Sequence, residues 1–86
     1  MTRTYVPNNE NSTVRMKLKR DASGEYTVLR QDSVGSVWVP IGSIWNNAAT
    51  YEGDWAYCSN EGDSQGFQTL SQAIYWVVNE GEGASE

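Results

Sequence analysis

Arg15, Lys17 and Lys19 occupy alternate positions of one short stretch. On an extended strand that spacing puts three cations on one face, about 6.6 Å from one to the next. Such a row can hold an anion, either the phosphates of a nucleic acid or the carboxylates of an acidic protein patch. Without a ligand it is an ordinary solvated strand face, where lysines also discourage unwanted edge pairing. Arg3, Arg20 and Arg30 could extend it.

Carboxylates offer a second kind of chemistry. Glu52 and Asp54 lie two apart, which on a strand is one face, the minimum for acid–base work. With Asp63 they could give oxygen ligands to a divalent cation, although no calcium-loop spacing is present. The chain has no histidine, no nucleophile–base pair at a known spacing and no Gly-rich phosphate loop. Its single cysteine, Cys58, excludes an internal disulfide and a zinc site, and its acidic local sequence reads as a small buried hydrophobe rather than a reactive thiol. Neither catalysis nor a cofactor or metal is expected.

Aromatic residues are abundant: four Trp, five Tyr and one Phe in 86 residues. In a chain this small they substitute for missing core volume, the role expected of Trp55 and Tyr57. One short helix covers only part of a sheet, so Trp38, Trp45 and Trp76 are candidates for partial exposure. Exposed tryptophan beside cations suits a partner contact. The candidate binding set is therefore Arg15, Lys17, Lys19, Arg30, Trp38 and Trp76.

The charge distribution frames that set. All six cations fall in residues 1–30, against Glu10, Asp21 and Glu25, a balance of +3; residues 31–86 hold no Lys or Arg and carry −8. The asymmetry points to a binding surface at one end. It also lets two copies meet head to tail, so self-association is a variant. The acidic remainder would repel phosphates. The expected partner is hence another protein, with a nucleic acid as the alternative and sugar stacking on the Trp and Tyr set as a weaker third class. The expected function is a small non-catalytic regulator or inhibitor, in the style of the accessory proteins of bacteriophages. No apolar signal-like run and no span long enough for a bilayer is visible, so a cytoplasmic location with no membrane partner is expected. Asn11, Ser12 and Thr13 match a glycosylation acceptor, read as chance.

The elements that must position these residues follow from periodicity. Residues 1–12 and 80–86 read as flexible tails, the second acidic, around one domain at 13–79. Residues 13–20 alternate, with Val14, Met16 and Leu18 on one face and the cations on the other. Turn residues 21–24 and a strand over 25–30 complete a hairpin. A three-residue loop over 22–24, with Gly24 left-handed, pairs Leu18 with Val28 and Arg20 with Tyr26. Residues 34–45 are β-prone, and Pro40 places that strand at an edge or breaks it. Residues 51–59 read as the last strand and 60–66 as an acidic loop. Thr69 and Gln72 form a capping box before the helical stripe Leu70, Ala73, Ile74, Val77 and Val78, and Gly81 stops it, with an end that should fray because Glu80 and Glu82 oppose the dipole. The expected fold is α+β: an antiparallel meander sheet of three or four strands with one C-terminal helix packed on one face. The expected core is Val14, Met16, Leu18, Val28, Val37, Val39, Ile41, Trp55, Leu70, Ala73, Ile74 and Val77.

The helix approach, Gly66-Phe67-Gln68-Thr69-Leu70-Ser71-Gln72-Ala73-Ile74, resembles the Gly-x-Phe-x-Thr-x-x-x-Ala approach of AP2-type domains, to which integrase N-terminal arm-binding domains are similar. The resemblance covers about ten residues of a strand-to-helix junction. It implies three strands followed by one helix and, in the family, DNA reading by Arg and Trp on the sheet. The rest of the chain departs from it: the charge is acidic, the third strand holds a proline and no Arg-Gly start is present. It supports the architecture.

Overall fold

A computed structural model describes residues 3–8, 13–46 and 54–82. Six strands, β1 (Thr4–Tyr5), β2 (Arg15–Ala22), β3 (Glu25–Gln31), β4 (Val39–Asn46), β5 (Trp55–Ser59) and β6 (Ser64–Phe67), precede one helix, α1 (Leu70–Asn79). They form a single antiparallel sheet in the order β1-β2-β3-β4-β5-β6, with α1 across one face. The class, the meander order and the position of the helix are those the periodicity predicts.

The β2–β3 hairpin has the expected register, Leu18 opposite Val28 and Arg20 opposite Tyr26. Gly24 takes φ 76°, the left-handed conformation the turn requires. Ala22 joins the ladder opposite Glu25 and the extra residue is Asp21, so the tip is tighter than the 22–24 loop. The capping box is present: Gln72 N–H donates to the Thr69 hydroxyl at 3.1 Å, and the Gln72 amide oxygen accepts from Thr69 N–H at 3.2 Å.

Two strands go beyond the expected three or four. Within the span read as an N-terminal tail, Thr4 pairs with Lys17 and Tyr5 with Met16. Pro7 is buried, and Asn8 N–H donates to the Asn79 side chain at 2.7 Å. The stretch read as an acidic loop turns at Gly62 and returns as β6. Tyr51 and Glu52, read as the start of the last strand, lie outside the described residues.

The core lies between α1 and one sheet face: Val14, Met16, Val28, Ile44, Tyr57, Ala73, Val77 and Val78, each at 3% exposure or less. Leu18, Ile41, Trp55, Leu70 and Ile74 pack around it half-buried. Val37 and Val39 do not belong to it; they stand 80% and 52% exposed. Val39 lies on the helix side, opposite Arg30 and in line with Met16, but α1 packs on β5 and β6 and leaves it outside the buried cluster. Farther along, Val28 faces Gly42 but Leu29 faces Pro40, so Ile41 is a bulge and the alternation changes phase. Ile44 then takes the core position that unbroken alternation through Ile41 would not give it. Pro40 sits where β4 borders β3 alone, because β5 ends at Ser59 opposite Gly42. This is the break and local edge that proline demands. Gly42 is required there: a Cβ would lie 2.5 Å from the Cys58 carbonyl oxygen and 2.8 Å from the Tyr57 ring.

Candidate binding face

Cross-strand pairing fixes which side chains share the uncovered face. Arg15 lies opposite Gln31, Lys17 opposite Thr4 and Leu29, and Lys19 opposite Thr27. Leu29 continues the row to Pro40, Thr27 to Ser43 and Cys58, and Glu25 to Trp45 and Ala56. α1 packs on the opposite side, so among the described residues this face carries no helix. Cys58 is half-buried on it, its thiol directed to the Ser59 carbonyl at 3.6 Å.

Among the described residues, none of Arg15, Lys17 and Lys19 is ion-paired. Lys17 instead holds its ammonium 4.3 Å above the Trp38 ring. That is a cation–π contact, worth about 0.5–1 kcal/mol at an accessible site. Neighbouring cations about 6.6 Å apart repel by roughly 0.6 kcal/mol per pair in water. The row therefore stores modest like-charge repulsion that an anionic ligand would relieve. Trp38 is half-buried, and its neighbours in sequence are the exposed Val37 and Val39. Cations and an indole thus form one patch beside the start of β4, while the register turns Val39 to the helix side with Arg30.

The other two members of the expected set do not join it. Arg30 lies opposite Met16 and Val39, on the helix side. Its Nε donates to Asp32 at 2.9 Å, and its Nη1 donates to the Glu82 carbonyl. A cation at the helix C-terminus offsets the negative end of the dipole, so Arg30 serves the fold and ties down the end where Glu80 and Glu82 would favour fraying. Trp76 is half-buried under α1, its ring centroid 6.0 Å from Tyr57 and 5.7 Å from Phe67. Gly81 presses against it; a Cβ there would come within 2.6 Å of the indole. Arg3 and Arg20 also fall on the helix side, Arg3 stacked 5.4 Å from Tyr5. The contact set contracts to Arg15, Lys17, Lys19 and Trp38.

Val37 and Val39 are the residues that sequence reasoning misplaced. Pro40 followed by Gly42, a missing donor and a missing Cβ two residues apart, marks the irregular strand through which parity cannot be carried to Ile44, but it does not mark the exposure of the valines.

Asp54 is exposed and precedes β5, while its expected companion Glu52 lies outside the described residues. Among the described residues no group of three or more Cys, Asp or Glu side chains could hold a metal ion, and no helix is long and apolar enough to cross a membrane. No protein-family model, curated protein or solved structure matches the chain.

Proposed function

We propose that this chain is a small non-catalytic interaction protein, a regulator or inhibitor, that docks an acidic surface of another protein on its uncovered sheet face. Arg15, Lys17 and Lys19 meet the carboxylates, and Trp38 supplies the apolar anchor. The observation that carries this reading is the Lys17–Trp38 stack, with Val37, 80% exposed, next to the indole in sequence. Unpaired cations alone suit phosphate as well as carboxylate. An indole with the exposed Val37 next to it favours a protein surface, because interface centres are apolar and phosphate backbones give valine nothing to pack on.

The test uses an acidic, leucine-bearing dodecapeptide and a single-stranded DNA of twenty nucleotides, each titrated against the whole chain while tryptophan fluorescence is followed. Peptide binding that weakens with salt, is lost in Lys17→Glu and falls in Val37→Ser supports the reading. DNA binding that exceeds peptide binding, with a logarithmic salt slope near about −2 for three neutralised phosphates and no effect of Val37→Ser, would assign the face to nucleic acid instead.

A further inference from the structure

The sheet ends in two unlike edges. β1 is only two residues long and leads into the buried Pro7, two devices that protect an edge from adding a strand. β6 has neither. Its sequence, Ser64-Gln65-Gly66-Phe67, contains no charge and no proline, and among the described residues only β5 pairs with it. In an antiparallel ladder every second residue of such a strand turns its N–H and C=O outward. Beside this open edge lies a groove of about 570 Å³, walled by Gly66, Phe67, Tyr75 and Trp76, with Glu80 on its helix side. Tyr75 is 54% exposed although it is a large aromatic on a helix.

Charge selects the occupant. Residues 31–86 hold no Lys or Arg, and the described acids of that region include Asp54, Glu61, Asp63, Glu80 and Glu82. Glu80 is the one charged side chain among the described residues that line the groove, so a segment that enters it meets a negative charge and no positive one. From these observations we infer that β6 and α1 form a second binding site, which takes an extended cationic peptide segment of a partner protein as a seventh strand. Its backbone completes the outer ladder of β6, as in strand addition at other sheet edges. Its apolar side chains enter the groove against Phe67, Tyr75 and Trp76, and a Lys or Arg meets Glu80. Strand β6 spans about 10 Å and the helix from Ser71 to Glu80 about 13 Å, which fits three or four residues of extended chain. This site is separate from the face around Lys17 and takes a ligand of opposite charge.

The probe is a capped eight-residue peptide alternating lysine with valine, titrated into the whole isotope-labelled chain and followed by amide and indole NMR shifts. Saturable shifts at Gln65, Phe67 and the Trp76 indole are expected. Glu80→Lys weakens binding about fivefold or more, whereas Lys17→Glu leaves it unchanged. Methylating alternate backbone nitrogens on the peptide edge that faces β6 abolishes binding while its charge stays the same. Equal binding of both N-methylated peptide phases would show a purely electrostatic contact and overturn the proposal. Equal binding by Glu80→Lys, no binding at all, or a β6-to-β6 dimer that keeps the peptide out would do so too.

Discussion

Under α1 the sheet presents Val14, Met16, Val28, Ile44 and Tyr57, none more than 2% exposed. One position along the same strands, the other face presents Arg15, Lys17, Thr27, Ser43 and Cys58, none of them fully buried. A single ten-residue helix can dry only one side of a six-stranded sheet. The covered face concentrates the energy of folding, since buried apolar area is the dominant favourable term. The uncovered face must remain acceptable in water, and it is there that charge and an indole can meet another molecule without taking anything from the core. Stability and encounter are assigned to opposite sides of the same residues' backbone.

Substitutions can break this division or sharpen it. Met16→Ala should do the most damage. Met16 is fully buried among β-strand and helix side chains, and truncation costs about 2–5 kcal/mol through lost transfer energy and a cavity. A domain this small has only a few kcal/mol to lose. Circular dichroism should show a large part of the chain unfolded at room temperature. A fully folded Met16→Ala protein would mean the helix face is not the source of stability.

Tyr57→Phe sharpens the covered face, by a gain. Among the described residues the buried Tyr57 hydroxyl has no hydrogen-bond partner, and it lies close over Gly42. A buried polar group left unsatisfied costs about 1–3 kcal/mol, so removing the oxygen should stabilise the chain by about 1 kcal/mol. Burial raises the Tyr57 pKa, with Glu82, Cys58 and Asp63 adding to the shift. The sign follows from the raised folded value. Stability is fully present below the ordinary tyrosine value of about 10 and is lost above it, where the unfolded chain ionises Tyr57 and the folded chain does not. The advantage of Tyr57→Phe should therefore widen in urea melts above about pH 10. An advantage that shrinks there would contradict the dry site.

Thr69→Ala tests the helix that separates the two faces. It removes the hydroxyl that accepts from Gln72 N–H and should cost about 1 kcal/mol, read as a lower melting temperature with unchanged binding at the Lys17 face. A loss of binding larger than the loss of stability would show that the faces are coupled through α1.

How much of this was legible in the sequence depends on whether each strand alternates. β2 does so strictly because one face is dry and the other wet, and Gly24 pins its hairpin; face assignment and register follow directly. The same register places Arg30 beside Met16, yet its charge invited grouping with the lysines, and only its contacts to Asp32 and Glu82 show what it does. β4 was misread because the bulged Ile41 moves the core position to Ile44, and because Val39, although on the helix side, lies outside the buried cluster. β6 was missed because an edge strand with little to bury keeps a polar, loop-like composition. β1 was missed because two residues carry no period at all. The cation row was therefore visible from the start, whereas the valines beside Trp38 and the groove along β6 became visible only with pairing.

The smallest effect on folding is expected from Val37→Ser, and it separates the two faces most sharply. The expected core placed Val37 inside, where losing its methyl groups and burying a hydroxyl would cost several kcal/mol. At 80% exposure it has little apolar area left to lose, and the change should stay within about 0.5 kcal/mol. If Val37 belongs to the contact patch, the same substitution should still weaken the acidic dodecapeptide, at unchanged melting temperature and with the Lys17–Trp38 stack intact. A stability loss above about 1 kcal/mol would return Val37 to the interior and remove the apolar half of the proposed interface. Unchanged stability with unchanged peptide binding would leave the cations as the whole of the site, and the preference for protein over phosphate would lose its support.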